Sequence, residues 1–205
     1  MLKNKPNPSV VILAAGASKR MGTPKQLLKW GENTLLEHAI LVALQLNSQE
    51  IIVVLGANYE LIKKTIKQYP ITILNNKDWE KGLGTSIAFA TQYLMKSKHK
   101  IDGVLIALAD QPLMDVHFLE NLIDKFELNK NKIIATFYED KTYGVPVIFG
   151  ASYFDELSKL SNDKGAKQLL KTHKKHVKGF VPKNKNVDLD SKEDYEQLYK
   201  ATFDA

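Results

Sequence analysis

Val10-Val-Ile-Leu-Ala-Ala-Gly16-Ala-Ser-Lys-Arg20-Met-Gly22-Thr-Pro-Lys25 changes character midway, from apolar to small, polar and basic. It opens as a continuous apolar run from Val10 to Ala15, short enough for a strand buried on both faces. It breaks at Gly16 into a small, polar, basic loop carrying Arg20 and Lys25, with Gly22 and Pro24 between them. In an α/β protein, a buried strand that opens into a glycine-containing basic loop is where phosphate is received.

Working outward, strands and helices alternate. Asn33 or Thr34 can cap a helix to about Leu46, whose apolar residues recur at helical spacing. Glu50–Leu55 is a second buried strand, ended by Gly56. Asn58 caps a helix through about Gln68, Pro70 stops it, and Ile71–Leu74 is a short strand. Gly82–Ser97 is a helix with the unusual start Gly-Leu-Gly-Thr-Ser. Ile101–Leu108 is another strand, apolar apart from Asp102, ending in Ala109-Asp110-Gln111-Pro112. Asp115 caps a helix to about Leu128. Lys132–Tyr138 and Tyr143–Phe149 are two strands joined by a turn. Short helices are expected over Ala151–Leu157 and Asp163–Thr172, a final strand over Val177–Val181, and a last helix capped by Ser191. The pattern predicts an α/β, three-layer, Rossmann-like sandwich around a mostly parallel mixed sheet with one antiparallel insertion. No repeat, linker or low-complexity segment divides the chain, so a single domain over 1–205 is expected, with 1–8 flexible.

The totals agree. At 205 residues, 44% hydrophobic and 25% charged, the chain can bury a full core without staples. It has no cysteine, which excludes disulfides, Cys–zinc sites and thiol nucleophiles. No stretch reaches the ~20 apolar residues of a membrane span, and a cytoplasmic protein is expected. The net charge of +6 suits nucleic acid or an anionic small substrate. Part of the excess lies in Lys164, Lys167, Lys171, Lys174, Lys175 and Lys178, which read first as a solvated face and second as a guide for an anionic substrate. They lack the aromatic interleaving of single-strand binders.

The loop is neither a Walker P-loop nor a dinucleotide fingerprint, because Gly16 and Gly22 stand six apart and Thr23 follows the second. It has comparable parts all the same. Gly16 lets backbone approach a ligand, Arg20 offers a planar fork and Lys25 a point charge. Such loops also occur as plain solvated turns; the buried strand end and the two glycines favour function. Asp110 ends a buried strand, where a carboxylate serves as a Mg²⁺ ligand or a cap, and Asp115 is the better cap. Asp188 and Asp190, at i and i+2 on an extended segment, point the same way; they form an acidic turn or complete a two-carboxylate metal site with Asp110. Gly82, Thr85 and Ser86 open a helix, as a nucleotide contact or an ordinary cap. His173 and His176 have no acid or cysteine near them in sequence and are read as surface residues. No Gly-x-Ser-x-Gly elbow occurs.

Leu13-Ala-Ala-Gly-Ala-Ser-Lys-Arg-Met-Gly22 with Pro24-Lys25 resembles the signature of the nucleotidyltransferases that share the nucleotide-diphospho-sugar transferase fold, the MobA-like NTP transferases. Within them the chain looks like the molybdenum cofactor cytidylyltransferase (MocA-like) branch. Further pieces carry that likeness: Asp78-Trp79-Glu-Lys-Gly82-Leu-Gly-Thr-Ser86, Ala109-Asp-Gln-Pro112, Gly144-Val-Pro-Val-Ile-Phe149, Asp163-Lys-Gly-Ala-Lys167 and Val187-Asp-Leu-Asp190 with Glu193-Asp-Tyr195. The resemblance implies Mg²⁺-dependent transfer of CMP from CTP to the phosphate of the molybdenum–molybdopterin cofactor, with release of pyrophosphate. It implies that Leu13, Ala14, Ala15 and Gly16 meet the nucleotide and that Arg20 and Lys25 meet its phosphates. Gly82, Thr85 and Ser86 would lie near base and ribose. Asp110 and Asp190 would hold Mg²⁺, with Arg20, Lys25 and Asp110 catalytic, and Gly144 and Pro146 would face the acceptor. The implied partners are CTP or GTP, an anionic phosphorylated pterin and a molybdoenzyme target, around a monomer that binds neither nucleic acid nor membrane. The alternatives are a GTP-using guanylyltransferase on this cofactor or another phosphorylated acceptor, a non-catalytic nucleotide-binding maturation protein, and a basic nucleic-acid binder, which would show steep salt dependence.

Overall fold

The computed structural model describes residues 6–126, 132–161, 163, 165–182 and 187–204. The elements in chain order begin with β1 (Ser9–Ala14), a two-stranded ribbon of β2 (Lys29–Trp30) and β3 (Asn33–Thr34), α1 (Leu35–Ala43) and β4 (Ile51–Leu55). Next come α2 (Tyr59–Ile66), β5 (Thr72–Asn75), α3 (Leu83–Met95), β6 (Gly103–Leu108) and α4 (Val116–Lys125). The last are β7 (Ile133–Phe137), β8 (Tyr143–Gly150), α5 (Phe154–Leu157), α6 (Lys167–Thr172), β9 (Val177–Phe180) and α7 (Lys192–Phe203).

The seven main strands form one sheet in the order β5-β4-β1-β6-β8-β7-β9. Among the described residues β8 alone runs against the rest, antiparallel to β6 and β7. The pleat divides each strand's side chains between two apolar layers. Val10, Ile12 and Ala14 pack with α1, α2 and α4 on one face. Val11 and Leu13 pack with α3, α5 and α6 on the other. This is the expected α/β sandwich with a mostly parallel mixed sheet.

Several boundaries follow their expected caps. Thr34 Oγ1 accepts from the Glu37 N–H at 3.2 Å, and Glu37 Oε2 accepts from the Thr34 N–H at 2.9 Å. Ser191 and Asp194 make the same reciprocal pair at 3.1 and 2.8 Å. Asp115 Oδ1 accepts from the Phe118 N–H at 2.7 Å.

Other expectations are corrected. Asn58 precedes α2 in a left-handed conformation, φ 56°, and its side chain makes no cap bond. The helix expected from Asp163 begins only at Lys167, and the one expected over Ala151–Leu157 is a 3₁₀ turn followed by four α-helical residues. The ribbon, turned at Gly31 with φ 61°, has strands of two residues each, too short to show a period. The helix expected to reach Leu128 ends at Lys125; residues 127–131, Lys164 and the first five residues of the chain lie outside the described residues.

The strand order reverses beside β1. From β1 the chain winds outward through β4 to β5, then returns to place β6 on the other side of β1. Loops leaving neighbouring strands that lead to opposite sides of a sheet open a crevice at their carboxyl ends. Here those loops are Ala15–Pro24 and Ala109–Asp115.

Candidate functional site

The loop after β1 is fastened to itself. Ser18 adopts φ 54°, its carbonyl accepts from the Met21 N–H at 2.9 Å, and its Oγ accepts from the Lys25 N–H at 3.0 Å. Gly22, at φ 68°, supplies a second left-handed position that residues with a Cβ rarely adopt. These turns deliver Lys25 to the start of a 3₁₀ turn, Lys25–Leu27. The next residue, Gln26, donates from Nε2 to the Ala14 carbonyl at 2.8 Å and the Gly16 carbonyl at 2.9 Å, clamping strand end to loop.

Lys25 crosses to the neighbouring loop. Its ammonium forms an ion pair with Asp110 Oδ2, lies 3.9 Å from Asp190 Oδ1 and donates to the Leu189 carbonyl at 3.4 Å. The Leu189 N–H in turn donates to the Asp110 carbonyl at 3.1 Å, tying the C-terminal segment to the end of β6. Burial pushes the Asp110 carboxyl above the usual carboxylate range. Lys25 opposes that shift, and the charge of Asp188 adds to it. Among the described residues no three His, Cys, Asp or Glu side chains cluster to hold a metal alone. The donor set still fits a hard divalent cation: Asp110 and Asp190 turn carboxylate oxygens to one positive charge, the Lys25 ammonium. Mg²⁺ sites commonly use one or two carboxylates and take their remaining oxygens from substrate phosphates and water.

The crevice is a cleft of about 340 Å³. Lys25, Asp110, Asp188 and Asp190 make it polar; Leu13, Ala15, Trp79, Leu83 and Leu108 give it apolar walls, with Gly16, Gln26, Ser86 and Ala109 completing the lining. Trp79 sits close against Gly56, where a Cβ would come within 2.6 Å of the Trp79 side chain and 2.8 Å of the Ala15 carbonyl. Gly82 turns the chain into α3 at φ 111°. A Cβ there would stand 2.1 Å from Asp163 Oδ1 and 2.6 Å from the Asp163 nitrogen. Gly82→Ala is therefore expected to cost about 2 kcal/mol or more through strain and overlap. That should appear as a fall of roughly 4–8 °C in the thermal unfolding midpoint; an unchanged midpoint would contradict the packing.

A second cleft, about 330 Å³, adjoins the first and shares Leu83, Leu108 and Asp188 with it. Tyr138, Tyr143, Gly144 and Val145 wall it, and Gln111, Asp140, Asp163 and Lys167 supply its polar groups. The Gln111 Nε2 donates to Asp188 Oδ1 at 2.7 Å, and the Tyr138 hydroxyl donates to the Val145 carbonyl. This cleft is acceptor-rich, with aromatic walls and, among the described residues, one cation, Lys167.

The crevice thus gathers Leu13, Ala15, Gly16, Lys25, Ser86, Asp110 and Asp190, while Gly144 stands in the adjoining cleft. Other predicted residues stand apart. The Ala14 carbonyl is turned to Gln26, and Arg20 is exposed, outside the lining of both clefts. Gly82 shapes the turn. The Thr85 hydroxyl is used locally, accepting from Asn76 Nδ2 at 3.0 Å and facing the Gly82 carbonyl at 2.8 Å. Pro146 is buried behind the second cleft, its carbonyl accepting from Thr136 Oγ1 at 2.8 Å. Sequence reasoning missed Gln26, Trp79, Gln111 and Lys167 as lining residues; Trp79, Gln111 and Lys167 lay within quoted motifs, and Gln26 had no signal beyond its place after Lys25. His173 proves half-buried, and its Nε2 lies 2.9 Å from Glu156 Oε2, an acid brought in from α5.

Comparison with known proteins bears on what this crevice serves. The chain is 36% identical over 114 residues to the nicotine blue oxidoreductase of Paenarthrobacter nicotinovorans, covering 55% of this chain and 54% of that one. It is 34% identical over 134 residues to the bifunctional protein GlmU of Francisella tularensis, covering 64% of this chain and 28% of that one. The chain therefore spans about half or less of the length of these curated relatives. Among solved structures, Rv0371c from Mycobacterium tuberculosis superposes with a TM-score of 0.83 at 28% identity, covering 97% of this chain and 100% of that one. A second structure of Rv0371c, a complex with manganese, gives 0.78 at 26% identity over 95% and 99% of the two chains. A model of one family also matches, from β1 to the first residue of β9, a stretch that supplies the lining of both clefts apart from Asp188 and Asp190: by its match to residues 10–177, the chain belongs to the family of the MobA-like NTP transferase domain.

Proposed function

We propose that this protein transfers CMP from CTP to the phosphate of a molybdenum–molybdopterin cofactor, releasing pyrophosphate, with Mg²⁺ as its metal. The observation that carries the reading is the join of the two clefts. A crevice lined by Gly16 of the signature loop, Lys25 and Asp110 adjoins a second one, with Leu83, Leu108 and Asp188 common to both. A transferase needs that arrangement, since donor and acceptor must be held in line within one enclosure. The manganese complex of Rv0371c supports a divalent cation.

In this mechanism the first cleft takes the nucleotide, its base and ribose against Leu13, Ala15, Leu83 and Ser86 and its triphosphate toward Lys25. The second takes the acceptor. Its carboxylates and the Gln111 amide suit the N–H donors of a pterin, its tyrosines the flat ring, and Lys167 the phosphate. A phosphate monoester is already an anion near neutral pH, its second pKa being about 6, so no general base is required. One of its oxygens forms a bond to the α-phosphorus while the bond from that phosphorus to the bridging oxygen breaks, and the electron pair leaves with pyrophosphate. The obstacle is the approach of two anions. Lys25 offsets that repulsion at the triphosphate, and Arg20, exposed on the same loop, is the second cation assigned to the phosphates. Asp110 and Asp190 would hold the Mg²⁺, which supplies charge neutralisation of the triphosphate.

Pyrophosphate release tests the reading, with each of the four nucleoside triphosphates, Mg²⁺ and the molybdenum cofactor. Release with CTP that depends on the cofactor is expected. Release with GTP instead would make the protein a guanylyltransferase, and release with none would leave a nucleotide-binding protein without transfer.

A further inference from the structure

Lys25 reaches the same oxygens that a metal ion would use. Its ammonium is ion-paired with Asp110 Oδ2, stands 3.9 Å from Asp190 Oδ1 and donates to the Leu189 carbonyl at 3.4 Å. Two of those oxygens belong to the carboxylates assigned above to Mg²⁺. Several oxygens converging on one positive charge make the kind of shell that a hard cation takes. The contact is made in the cleft and not behind it. Lys25, Asp110 and Asp190 all line the crevice, and their side chains are 21%, 14% and 61% exposed. The backbone of Lys25 is fixed, its N–H donating to Ser18 Oγ at 3.0 Å, whereas its four-carbon stem is flexible. Among the described residues that line this crevice, Lys25 is the one cation, set against Asp110, Asp188 and Asp190.

We propose that Lys25 is the resting occupant of the metal position: Asp110 and Asp190 hold its ammonium until a triphosphate draws it away, so that the divalent cation enters with the nucleotide and not before it. The inference rests on the reading of Asp110 and Asp190 as metal ligands in nucleotidyl transfer. Mg²⁺ stands ~2.1 Å from its oxygens. On the oxygens that hold the ammonium it would have a like charge as a near neighbour, and that repulsion is strong in a partly buried site. With neither cation present, the Asp110 carboxylate would lack a counter-charge. A bound triphosphate resolves the competition. Its oxygens give the ammonium a new anionic partner and give the metal its remaining ligands, so both cations can stay. Lys25 thereby has two positions, one on the carboxylates and one on the phosphates, and the exchange ties metal entry to the arrival of substrate.

The test is Mn²⁺ binding to the protein alone, read by electron paramagnetic resonance of the free ion, with no acceptor and no turnover. Lys25→Met removes the charge and keeps most of the stem; it should bind Mn²⁺ about tenfold or more tightly than wild type. Lys25→Arg keeps the charge and should bind as weakly as wild type. Adding Asp110→Asn to Lys25→Met should remove the gain. Lys19→Met takes an exposed charge from the same loop and should change the affinity by less than about twofold, because exposed charges are screened. Mn²⁺ should also raise the thermal unfolding midpoint of Lys25→Met more than that of wild type. Wild type offers a readout that needs no variant to fold. With ¹³C-labelled lysine, the ε-carbon signal of Lys25 should stay in place with Mg²⁺ alone. It should move when the non-transferable α,β-methylene analogue of CTP, or of GTP, is added with the metal. Equal Mn²⁺ affinity in wild type and Lys25→Met would overturn the proposal. So would a gain that appears equally in Lys19→Met or survives Asp110→Asn, or a Lys25 signal that analogue and Mg²⁺ together do not move. If wild type then still binds Mn²⁺ with the analogue through Asp110, the metal-site reading stands and only the resting role of Lys25 falls. If it binds none with the analogue, that reading falls as well.

Discussion

Lys25→Ala is expected to lower the turnover of nucleotidyl transfer by roughly 10²-fold or more, the size of losing one transition-state charge contact. Lys25 enters the crevice from the signature loop and contacts Asp110 and the Leu189 carbonyl, while Asp190 lies 3.9 Å away. It is the cation at the meeting point of three chain segments. In the proposed reaction it faces charge that grows as pyrophosphate departs, so its loss should fall mainly on turnover rather than on binding of the acceptor. Arg20→Ala should have an effect of the same order if the loop carries its guanidinium inward, and near-normal turnover in both variants would remove the loop cations from the mechanism. Lys25→Ala should also destabilise the fold. It leaves the Asp110 carboxylate, only 14% exposed, without its ion-pair partner. Stranding one member of such a pair costs about 1–3 kcal/mol, measurable by urea unfolding.

Asp110→Asn should abolish function in the opposite thermodynamic direction. Transfer is expected to fall by about 10²–10³-fold, and the metal concentration for half-maximal rate should rise, because a carboxylate that holds the cation is gone. An unchanged metal titration would exclude Asp110 as a ligand. The same variant should be more stable than wild type at neutral pH. Burial raises the Asp110 pKa, and Lys25 reverses only part of that rise. Across the window from the ordinary carboxylate range up to that raised value, the folded state keeps a proton that the unfolded chain has released. Stability therefore falls as pH rises through the window, and the whole penalty is present above it. Asparagine escapes the penalty. Its unfolding midpoint should exceed that of wild type at neutral pH. The advantage should disappear as pH falls below the ordinary carboxylate range. Lower activity with higher stability is what a strained site residue predicts; a loss of both would mean that Asp110 serves the fold.

The architecture was legible because its signals are local. Continuous apolar runs at Val10–Ala15 and Val104–Leu108 announce buried strands, and Thr34, Asp115 and Ser191 mark helix starts that the structure keeps. The misses are also local, but their causes lie elsewhere in the chain. Gly82 and Thr85 look like ligand-binding residues because glycine and hydroxyls at a helix start suit phosphate. In the structure Gly82 admits Asp163, and the Thr85 hydroxyl is used by Asn76. Trp79 lines the crevice because Gly56, 23 positions earlier, admits its ring. Gln26 carries no periodic or motif signal; its importance comes from two carbonyls it reaches across the loop. Lys25 and Asp110, 85 residues apart in sequence, meet because β1 and β6 are neighbours in the sheet.

Transfer of a nucleotidyl group between the two adjoining clefts can be followed with labelled nucleotide. CTP labelled in the α-phosphate is incubated with the protein, Mg²⁺ and the molybdenum cofactor, and in parallel CTP labelled in the γ-phosphate. The α-label should appear on the pterin in one-to-one proportion with pyrophosphate released, and the γ-label in pyrophosphate alone. An unlabelled pterin in the presence of bound CTP, or γ-label on the acceptor, would contradict nucleotidyl transfer at this site.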